Sequence, residues 1–555
     1  MATINGNNAN NTLSGVFDPI LPIFFPDSPD TINGFGGNDI LNALGTNDVL
    51  NGGTGNDTLN GNGGNDTLNG GAGADSTNGG SGNDRIIDDD FVNFDVHNGG
   101  TGIDTIDYSG VTFASGVVTI NLATGLTSVS NGNTETISNF ENVEGSQGDE
   151  TIIGSSGNNV LNGNGGNDTL NGGAGADSTN GGSGNDRIID DDFVNFDVHN
   201  GGTGIDTIDY SGVTFASGVV TINLATGLTS VSNGNTETIS NFENVEGSQG
   251  GETIIGSSGN NVLNGNDGND TINGGSGNDT INGGSGNDTI NGGAGSDTFK
   301  GSQGNDSING GDGIDTADYS QLGQSITLSG VGTIQKAGGL GQDQLLKVEK
   351  IIANANVANN TIDASQSLPG VSITVNLQNQ SLAANNVPVL GTLPFTVVNF
   401  DNVIGTNAND SIVGDSQNNQ LSGNNGNDTI NGGSGNDRLI GGSGTDRLTG
   451  GSGNDIFDFN SLSESQPGFA RDVITDFAGN GIFAGDQIDL STIDANSIIA
   501  GNQAFTFIGS AAFSNAGQVR YSGGILQANT DFDIFTELEI QLVGAPGLVA
   551  SDIIV

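Results

Sequence analysis

The amino-acid sequence predicts an all-β fold: a parallel β-roll, or β-solenoid, in several blocks with two nine-residue units per coil. The first observation is the nine-residue period itself, which is cleanest over residues 264–317, where the units read NGNDGNDTI, NGGSGNDTI, NGGSGNDTI, NGGAGSDTF, KGSQGNDSI and NGGDGIDTA. The second is an aspartate that recurs in one slot, and the third is an apolar residue two positions after it. A fixed short period of this kind is typical of stacked repeats.

Each unit divides into a turn and a short strand. Glycine at this density excludes a helix, because each glycine in a helix interior is destabilising. The three residues after the turn alternate outward, inward and outward, which is the periodicity of a strand. Two units therefore close one coil, and equivalent aspartates are expected to stack every 18 residues. Asp270, Asp288 and Asp306 would follow one edge of the roll.

Such a stack is not expected to fold without a cation. One buried aliphatic side chain per nine residues is too little to order nine backbones, and the stacked carboxylates repel one another. A hard divalent cation between coils would accept carboxylate and carbonyl oxygens together, and calcium suits such a site better than magnesium. A disordered glycine-rich linker is the alternative, but linkers keep neither the register nor an inward aliphatic column.

The unit resembles the RTX (repeats-in-toxin) calcium-binding nonapeptide, GGxGxDxUx. That resemblance implies multiple Ca²⁺ ions as the cofactor, held in the turns by aspartate carboxylates and by backbone carbonyls that include those of glycine. The metal ligands that it implies are Asp39, Asp57, Asp66, Asp75, Asp84, Asp104, Asp168, Asp177, Asp186, Asp206, Asp270, Asp279, Asp288, Asp297, Asp306, Asp315, Asp428, Asp437, Asp446 and Asp455, with Gly274, Gly283, Gly292, Gly432, Gly441 and Gly450. Poorer turns keep the register at Asp30, Asp48 and Asp410, and the aspartate slot holds another residue at Glu150, Asn159, Glu252, Asn261 and Asn419.

The composition limits the classes of partner. Among 555 residues, 64 are acidic and 10 are basic, so the formal net charge is −54. This balance excludes nucleic acid and anionic membrane surfaces, which need Lys and Arg clusters. Cysteine is absent, which fits a secreted bacterial protein that relies on metal instead of disulfides. We expect neither a signal peptide in MATINGNNANNTLSG nor a membrane-inserted segment.

A longer repeat overlies the nonapeptides. Residues 59–160 recur at 161–262, a shift of 102 residues, with Asp149 replaced by Gly251. Each copy contains an acidic insertion, RIIDDDFVNFDVHNGG, that lengthens one unit by two residues. Register then places His97 and His199 in the inward aliphatic slot. Each histidine is alone in its copy, so we interpret both as core residues and not as metal ligands.

The predicted domains follow these patterns along the chain. They are an N-terminal cap (1–29), a first roll block (30–107), a β spacer (108–149), a second block (150–209), a second spacer (210–251), a third block (252–318), a doubled β spacer (319–409), a fourth block (410–455) and a β-rich C-terminal domain (456–555). The C-terminal stretch, with RDVITDFAGNGIFAGDQIDLSTIDA and ELEIQLVG, resembles the domain that ends serralysin-type secreted proteins. That resemblance implies an uncleaved signal for type I secretion. The loop GGILQANTDFDIFTE departs from the family pattern, so no calcium site is predicted at Asp531 or Asp533.

No enzymatic activity is predicted. The sequence contains no HExxH motif, no cysteine nucleophile and only two histidines, one in each repeat copy. The favoured function is a secreted, calcium-binding structural protein of the cell surface or extracellular matrix. Its expected partners are calcium, the type I secretion machinery, and cell-surface polysaccharide or further copies of itself. The alternatives are an ice- or surface-binding solenoid, suggested by outward Thr and Asn beside the strands, and an enzyme with an unrecognised active site.

Overall fold

The computed structural model describes residues 2–7, 9, 11–14, 29–89, 93–111, 118–129, 132–191, 193, 195–213, 220–231, 234–330, 332–479 and 485–555. These residues form strands, turns and three short 3₁₀ segments, Ala337–Gly339, Gly468–Ala470 and Ala550–Asp552, with no α-helix among them. Over the described ranges, no helical segment has the length and hydropathy needed to cross a bilayer. Most of the predicted N-terminal cap, including its apolar run 16–25, lies outside the described residues. The chain divides into two compact units, Met1–Ile290 and Asn291–Val555.

The first unit has two sheets that share the strands alternately along the chain. Sheet I contains β1 (Ala2–Asn5), β3 (Asp30–Gly36), β5 (Val49–Thr54), β7 (Thr67–Ala72), β9 (Arg85–Ile87), β11 (Thr105–Asp107), β15 (Asn142–Glu144), β17 (Val160–Gly165), β19 (Ser178–Ser183), β21 (Val198–Thr203), β23 (Val220–Asn223), β24 (Leu228–Val231), β25 (Thr236–Ser240), β27 (Glu252–Ile255) and β29 (Thr271–Ser276). Sheet II contains β2 (Thr12–Ser14), β4 (Ile40–Asn42), β6 (Thr58–Gly63), β8 (Ser76–Ser81), β10 (Val96–Thr101), β12 (Val118–Asn121), β13 (Leu126–Val129), β14 (Thr134–Ser138), β16 (Glu150–Ile153), β18 (Thr169–Asn171), β20 (Arg187–Ile189), β22 (Thr207–Asp209), β26 (Asn244–Glu246), β28 (Val262–Asn264) and β30 (Thr280–Asn282). Strand β31 (Thr289–Ala294) follows.

The second unit also has two sheets with alternating strands. Sheet III contains β33 (Ser307–Asp312), β35 (Ile326–Ser329), β36 (Thr333–Lys336), β37 (Gly341–Leu346), β39 (Thr361–Asp363), β43 (Asn402–Ile404), β45 (Gln420–Ser422), β47 (Arg438–Ile440), β49 (Ile456–Asp458), β51 (Gln487–Asp489) and β56 (Ile553–Ile554). Sheet IV contains β32 (Thr298–Lys300), β34 (Thr316–Asp318), β38 (Lys350–Ile352), β40 (Ser372–Asn376), β41 (Ser381–Val387), β42 (Gly391–Val398), β44 (Ser411–Val413), β46 (Thr429–Ser434), β48 (Arg447–Ser452), β50 (Asp472–Ile474), β52 (Thr506–Phe507), β53 (Gln518–Ser522), β54 (Ile525–Asn529) and β55 (Leu538–Leu542).

The register of the parallel strands confirms the predicted coil of two nonapeptides. Leu50 on β5 pairs with Leu68 on β7, 18 residues later, and Leu68 pairs with Ile86 on β9. These side chains are 0% exposed, so the middle residue of each strand faces the core. Because one residue per strand points inward, the column of aliphatic side chains is continuous along the sheet. The fold is therefore all-β and a parallel roll, as predicted.

The spacers interrupt the parallel stacking with antiparallel strands. In sheet II, β14, β13 and β12 lie in that order between β10 and β16. In sheet I, β11 pairs directly with β15 at the same level. We call each such set of three strands, linked by antiparallel pairing, an excursion. An excursion lengthens one sheet by two strands, while the opposite sheet gains none.

The second copy of the long repeat builds the same excursion in the other sheet. Strands β25, β24 and β23 lie between β21 and β27 in sheet I, and β22 pairs directly with β26 in sheet II. The second unit likewise has one excursion in each of its sheets: β37, β36 and β35 in sheet III, and β42, β41 and β40 in sheet IV. Both fall within residues 319–409.

The last hundred residues continue the two-sheet stacking of the second unit. Phe457 on β49 pairs with Ile488 on β51, and Ile488 pairs with Ile553 on β56. All three side chains are buried. In sheet IV, β50 pairs in parallel with β48 and with β55. Strand β54 then pairs antiparallel with β55, and β53 pairs antiparallel with β54.

Candidate calcium sites in the turns

The turn that ends at Asp57 represents the repeated geometry. Gly53 and Gly55 have φ angles of 109° and 124°, in the left-handed region that favours glycine. These two residues reverse the chain between β5 and β6. Asn56 and Asp57 close the turn, and Asp57 is 2% exposed.

One carboxylate oxygen of each repeat aspartate binds the neighbouring coil. The backbone N–H of Asp39 donates to Oδ1 of Asp57 at 2.7 Å, and the N–H of Asp57 donates to Oδ1 of Asp75 at 2.7 Å. The same bond joins aspartates 18 residues apart in the second unit, such as Asp410 to Asp428 and Asp437 to Asp455. The aspartates thus form a ladder along each edge of the roll. All twenty sequence-predicted aspartates are buried, none more than 3% exposed.

The other carboxylate oxygen of many of these aspartates is buried without a hydrogen-bond partner among the described residues. These are the Oδ2 atoms of Asp39, Asp57, Asp66, Asp84, Asp104, Asp168, Asp186, Asp206, Asp270, Asp315, Asp428, Asp437, Asp446 and Asp455. A buried carboxylate oxygen with no donor is energetically unfavourable. Its repetition on turn after turn is the pattern expected of cation-binding sites.

A backbone carbonyl from the next coil faces the same space as this oxygen. A Cβ atom built on Gly52 would lie 2.5 Å from Oδ2 of Asp57 and 2.5 Å from the carbonyl oxygen of Gly70. Only glycine leaves this gap open. The pairing recurs at Gly61, Gly163, Gly265, Gly423 and Gly432, where the two distances lie between 2.2 and 2.6 Å. Two converging hard oxygen donors, one of them charged, fit calcium, which prefers oxygen ligands.

The six predicted glycines lie next to such gaps, although the gap that the Gly274 carbonyl faces has an oxygen of Asn261 in place of an aspartate oxygen. The carbonyls of Gly274, Gly283, Gly432, Gly441 and Gly450 face the first glycine of the preceding coil, at 2.1–2.6 Å from its Cβ position. The Cβ position of Gly292 lies 2.3 Å from Oδ2 of Asp297 and 2.6 Å from the carbonyl oxygen of Gly310.

Comparison with known proteins agrees with this geometry. The family model for the RTX calcium-binding nonapeptide repeat matches residues 27–50, 51–86, 144–179, 246–281, 282–317, 404–439 and 431–461. The chain carries RTX calcium-binding nonapeptide repeats. Such repeats bind multiple Ca²⁺ ions.

Other comparisons add little. No curated protein matches the chain. The solution structure of the AlgE6R3 subunit of the Azotobacter vinelandii mannuronan C5-epimerase is 29% identical over 27% of this chain and 78% of its own, with a TM-score of 0.20. The extracellular lipase LipA from Serratia marcescens is 18% identical over 64% of this chain and 45% of its own, with a TM-score of 0.19. TM-scores this low support no argument about activity.

Burial raises the pKa of many RTX aspartates above the ordinary value. Loss of hydration is the largest cause, and the backbone N–H bond from the preceding coil opposes it only in part. The carboxyl pKa reaches about 8 at Asp168, Asp270 and Asp428 and about 7 at Asp66, where neighbouring carboxylates raise it further. Bound calcium would reverse this preference, since a divalent cation favours the ionised carboxylate.

At one turn the chain supplies its own cation. The ammonium of Lys336, on β36, lies 3.3 Å from Oδ2 of Asp306 and 2.5 Å from Oδ1 of Asp343, and it donates to the carbonyl of Ser302 at 2.8 Å. Lys336 is 1% exposed. The ammonium thus satisfies an aspartate and a turn carbonyl together, as expected of a site that requires positive charge. The sequence pattern had not indicated this lysine.

Two asparagine ladders were also missed by sequence reasoning. The side chain of Asn51 donates to Oδ1 of Asn33 at 2.8 Å, and Asn60 donates to Asn42 at 2.9 Å. In the turns, Oδ1 of Asn38 accepts the backbone N–H of Asn56 at 3.0 Å. The recurrence of asparagine at fixed slots of the nonapeptide was the available signal. These side chains connect neighbouring coils along the outside of the roll.

We expect Gly52→Ala to disrupt its calcium site, because the added methyl group would lie between the two facing oxygens. Calcium stoichiometry, measured by titration against a chromophoric chelator, should fall by about one or two ions, since coils contact only their neighbours. Gly45→Ala is the matched control, because no heavy atom lies within 4 Å of its Cβ position. Equal stoichiometry in the two variants would contradict the assignment.

The raised pKa values predict that acid stabilises the metal-free roll. Between the unfolded value of 3.8 and the folded value of about 8, folded Asp168 binds more protons than the unfolded chain, so the free energy of unfolding falls as pH rises through this window. In chelator, β-structure measured by circular dichroism should therefore increase as the pH is lowered from about 8 towards 5. Calcium affinity should decrease over the same range because protons compete. A metal-free chain whose β-structure increases with rising pH would contradict this prediction.

Proposed function

We propose that this protein is a secreted, calcium-binding structural protein of the cell surface or extracellular matrix. The observation that carries the proposal is the ladder of buried aspartate oxygens that have no donor and that face glycine carbonyls of the next coil. In this proposal, calcium joins successive coils and thereby completes the fold.

The proposed ligands are the aspartate Oδ2 atoms and the turn carbonyls of the following coil. Each ion between two coils would neutralise the carboxylate that the roll buries. Because a roll without ions contains stacked carboxylates with raised pKa values, calcium binding and folding are expected to be one reaction. Calcium would supply charge neutralisation and links between coils. The aspartate N–H bonds hold each carboxylate in position for it.

The net charge of the chain and the calcium concentration outside cells both support an extracellular location. Proteins with RTX repeats are typically secreted. A chain of net charge −54 stays expanded by self-repulsion where calcium is scarce, which suits passage through a narrow secretion channel. Outside the cell, millimolar calcium is in the range that extracellular calcium modules bind. The serralysin-like sequence of residues 456–555 is the proposed export region for a type I system.

A structural role fits the surface better than ice binding does. Of the outward asparagines that suggested a flat binding array, Asn291 hydrogen-bonds along the stack instead: its Oδ1 accepts from the side chain of Asn309 at 2.8 Å. An enzymatic role would require a site outside the ladders. The second unit contains a cavity of about 790 Å³ between its two excursions, lined mainly by aliphatic side chains such as Leu345, Val371 and Leu382. Ser367, Lys347 and Glu349 also line this cavity, and we propose no catalytic role for them. A panel of protease, lipase, glycosidase and epimerase assays on the calcium-loaded protein would test this choice.

Calcium removal should unfold the repeats. We expect a largely disordered circular dichroism spectrum in excess EDTA and a β-rich spectrum at millimolar calcium, with a steep transition because neighbouring coils share ions. Magnesium at equal concentration is the control for simple charge screening. A spectrum that does not change between EDTA and calcium would overturn the proposed function.

Deletion of residues 456–555 should prevent export. Cells that produce the full chain should carry it outside, on the surface or in the medium, whereas a chain ending at Asp455 should stay in the cytosol. The purified truncated chain should still gain β-structure with calcium, because its repeats are intact. Export of the truncated chain by a type I system would show that the signal lies elsewhere.

A further inference from the structure

Each acidic insertion of the first unit brings a histidine and two carboxylates together inside the roll. In the first copy, one ligand atom from each of Asp88, His97 and Glu135 lies within 4.8 Å of the others. The three residues are 5%, 2% and 2% exposed. The same arrangement occurs in the second copy with Asp190, His199 and Glu237.

The insertion and the excursion build this cluster jointly. His97 lies on β10, paired with Thr77 of β8 on one side and Ile137 of β14 on the other. Glu135 occupies an inward position of β14, two residues before Ile137. Asp88 follows β9, and its backbone N–H donates to the carbonyl of Asp107 at 2.9 Å. The cluster therefore joins strands β10 and β14 to the segment that follows β9.

A hydroxyl group orients the histidine. Oγ1 of Thr77 lies 2.8 Å from Nδ1 of His97, and Nε2 of His97 lies 3.2 Å from Oδ2 of Asp88. Thr77 is 1% exposed and takes a slot that holds an aliphatic residue in most other units, such as Leu59 in the same column. If Nδ1–H donates to Thr77, the Nε2 lone pair faces the carboxylates. This hydrogen bond to the second ring nitrogen is the usual support of a metal-ligating histidine.

The charge balance of the cluster favours a bound cation. Two carboxylates lie in the core with one imidazole, which neutralises at most one of them. The nearby hydroxyl of Tyr108 is neutral, because burial and then Asp88 and Glu135 raise its pKa well above the ordinary value. A divalent ion at this position would balance the charge of two carboxylates.

We propose that each insertion binds one first-row divalent transition metal of the zinc class through His97, Asp88 and Glu135, or through His199, Asp190 and Glu237. Imidazole nitrogen with carboxylate oxygens suits zinc and its neighbours, whereas calcium prefers oxygen ligands alone. These sites lie inside the roll and differ in ligand type from the calcium turns. In the second copy, Phe193 stacks on Tyr210 with ring centroids 4.9 Å apart. The metal would link the acidic insertion to the antiparallel strand that carries the glutamate.

The decisive experiment is cobalt substitution of the full, calcium-saturated chain. Co²⁺ is added with calcium in large excess, unbound metal is removed, and visible d–d absorption and metal content are measured. We expect two tightly held Co²⁺ ions per chain, one for each histidine cluster, and displacement of both by Zn²⁺. His97→Ala should retain one ion, and the His97→Ala/His199→Ala double variant should retain none. The native chain holding no Co²⁺, or the double variant still holding two, would overturn the proposal.

A pair of adjacent acids provides the matched control. Asp88→Asn removes a proposed ligand, whereas Asp89→Asn makes the same chemical change at an exposed neighbour. We expect the first substitution to weaken Co²⁺ binding at one site at least tenfold and the second to leave it unchanged. Circular dichroism in calcium reports folding of the roll separately from transition-metal binding. If a variant fails to fold, the Co²⁺ absorption spectrum of the native chain alone tests the proposal. Nitrogen coordination in that spectrum requires these histidines, which are the only two in the chain.

Discussion

The structure depends on how each aspartate carboxylate is divided between two tasks. One oxygen accepts the N–H of the aspartate 18 residues earlier, as Asp75 does from Asp57, and so sets the spacing of successive coils. The other oxygen lies in a gap that only glycine leaves open. The first task is satisfied by the polypeptide alone, but the second requires a cation. Because both tasks use one side chain, ion binding and coil stacking cannot be separated.

The exceptions within the ladder agree with this constraint. At Asp306 the buried ammonium of Lys336 supplies positive charge to the carboxylate. Asn159 takes an aspartate slot, and its side-chain amide donates to the carbonyl of Glu141 at 2.6 Å, so a side-chain bond to the preceding coil persists where a neutral side chain has replaced the charged one. The bond between coils is thus maintained along the chain, while the source of positive charge varies.

Much of the repeat architecture could be predicted from sequence, and the reason is local. Within a nonapeptide, the turn glycines, the aspartate and the inward residue lie within nine positions, so period alone yields the pairing of Leu50 with Leu68. The excursions and the histidine clusters depend on longer distances. Glu135 is 38 positions from His97 and is separated from it by an antiparallel hairpin whose pairing no period encodes. The prediction that both histidines are core residues is confirmed by their burial, but the sequence did not indicate the buried carboxylates beside them. Thr77 in an aliphatic slot was the signal that polar groups are gathered there.

The alternation of the excursions between sheets bears on how the protein could have grown. A shift of 102 residues contains an odd number of sheet crossings, so β10 of sheet II has its counterpart β21 in sheet I. A first excursion lengthens one side of the roll by two strand spacings, roughly 10 Å, and the duplicate lengthens the other side by the same amount. A duplication with this period therefore makes the lengths of the two sheets equal again, because the second excursion is added to the sheet that the first one left shorter. A duplicated segment with an even number of crossings would have added each excursion to the same side, and the mismatch between the sheets would have accumulated with each copy.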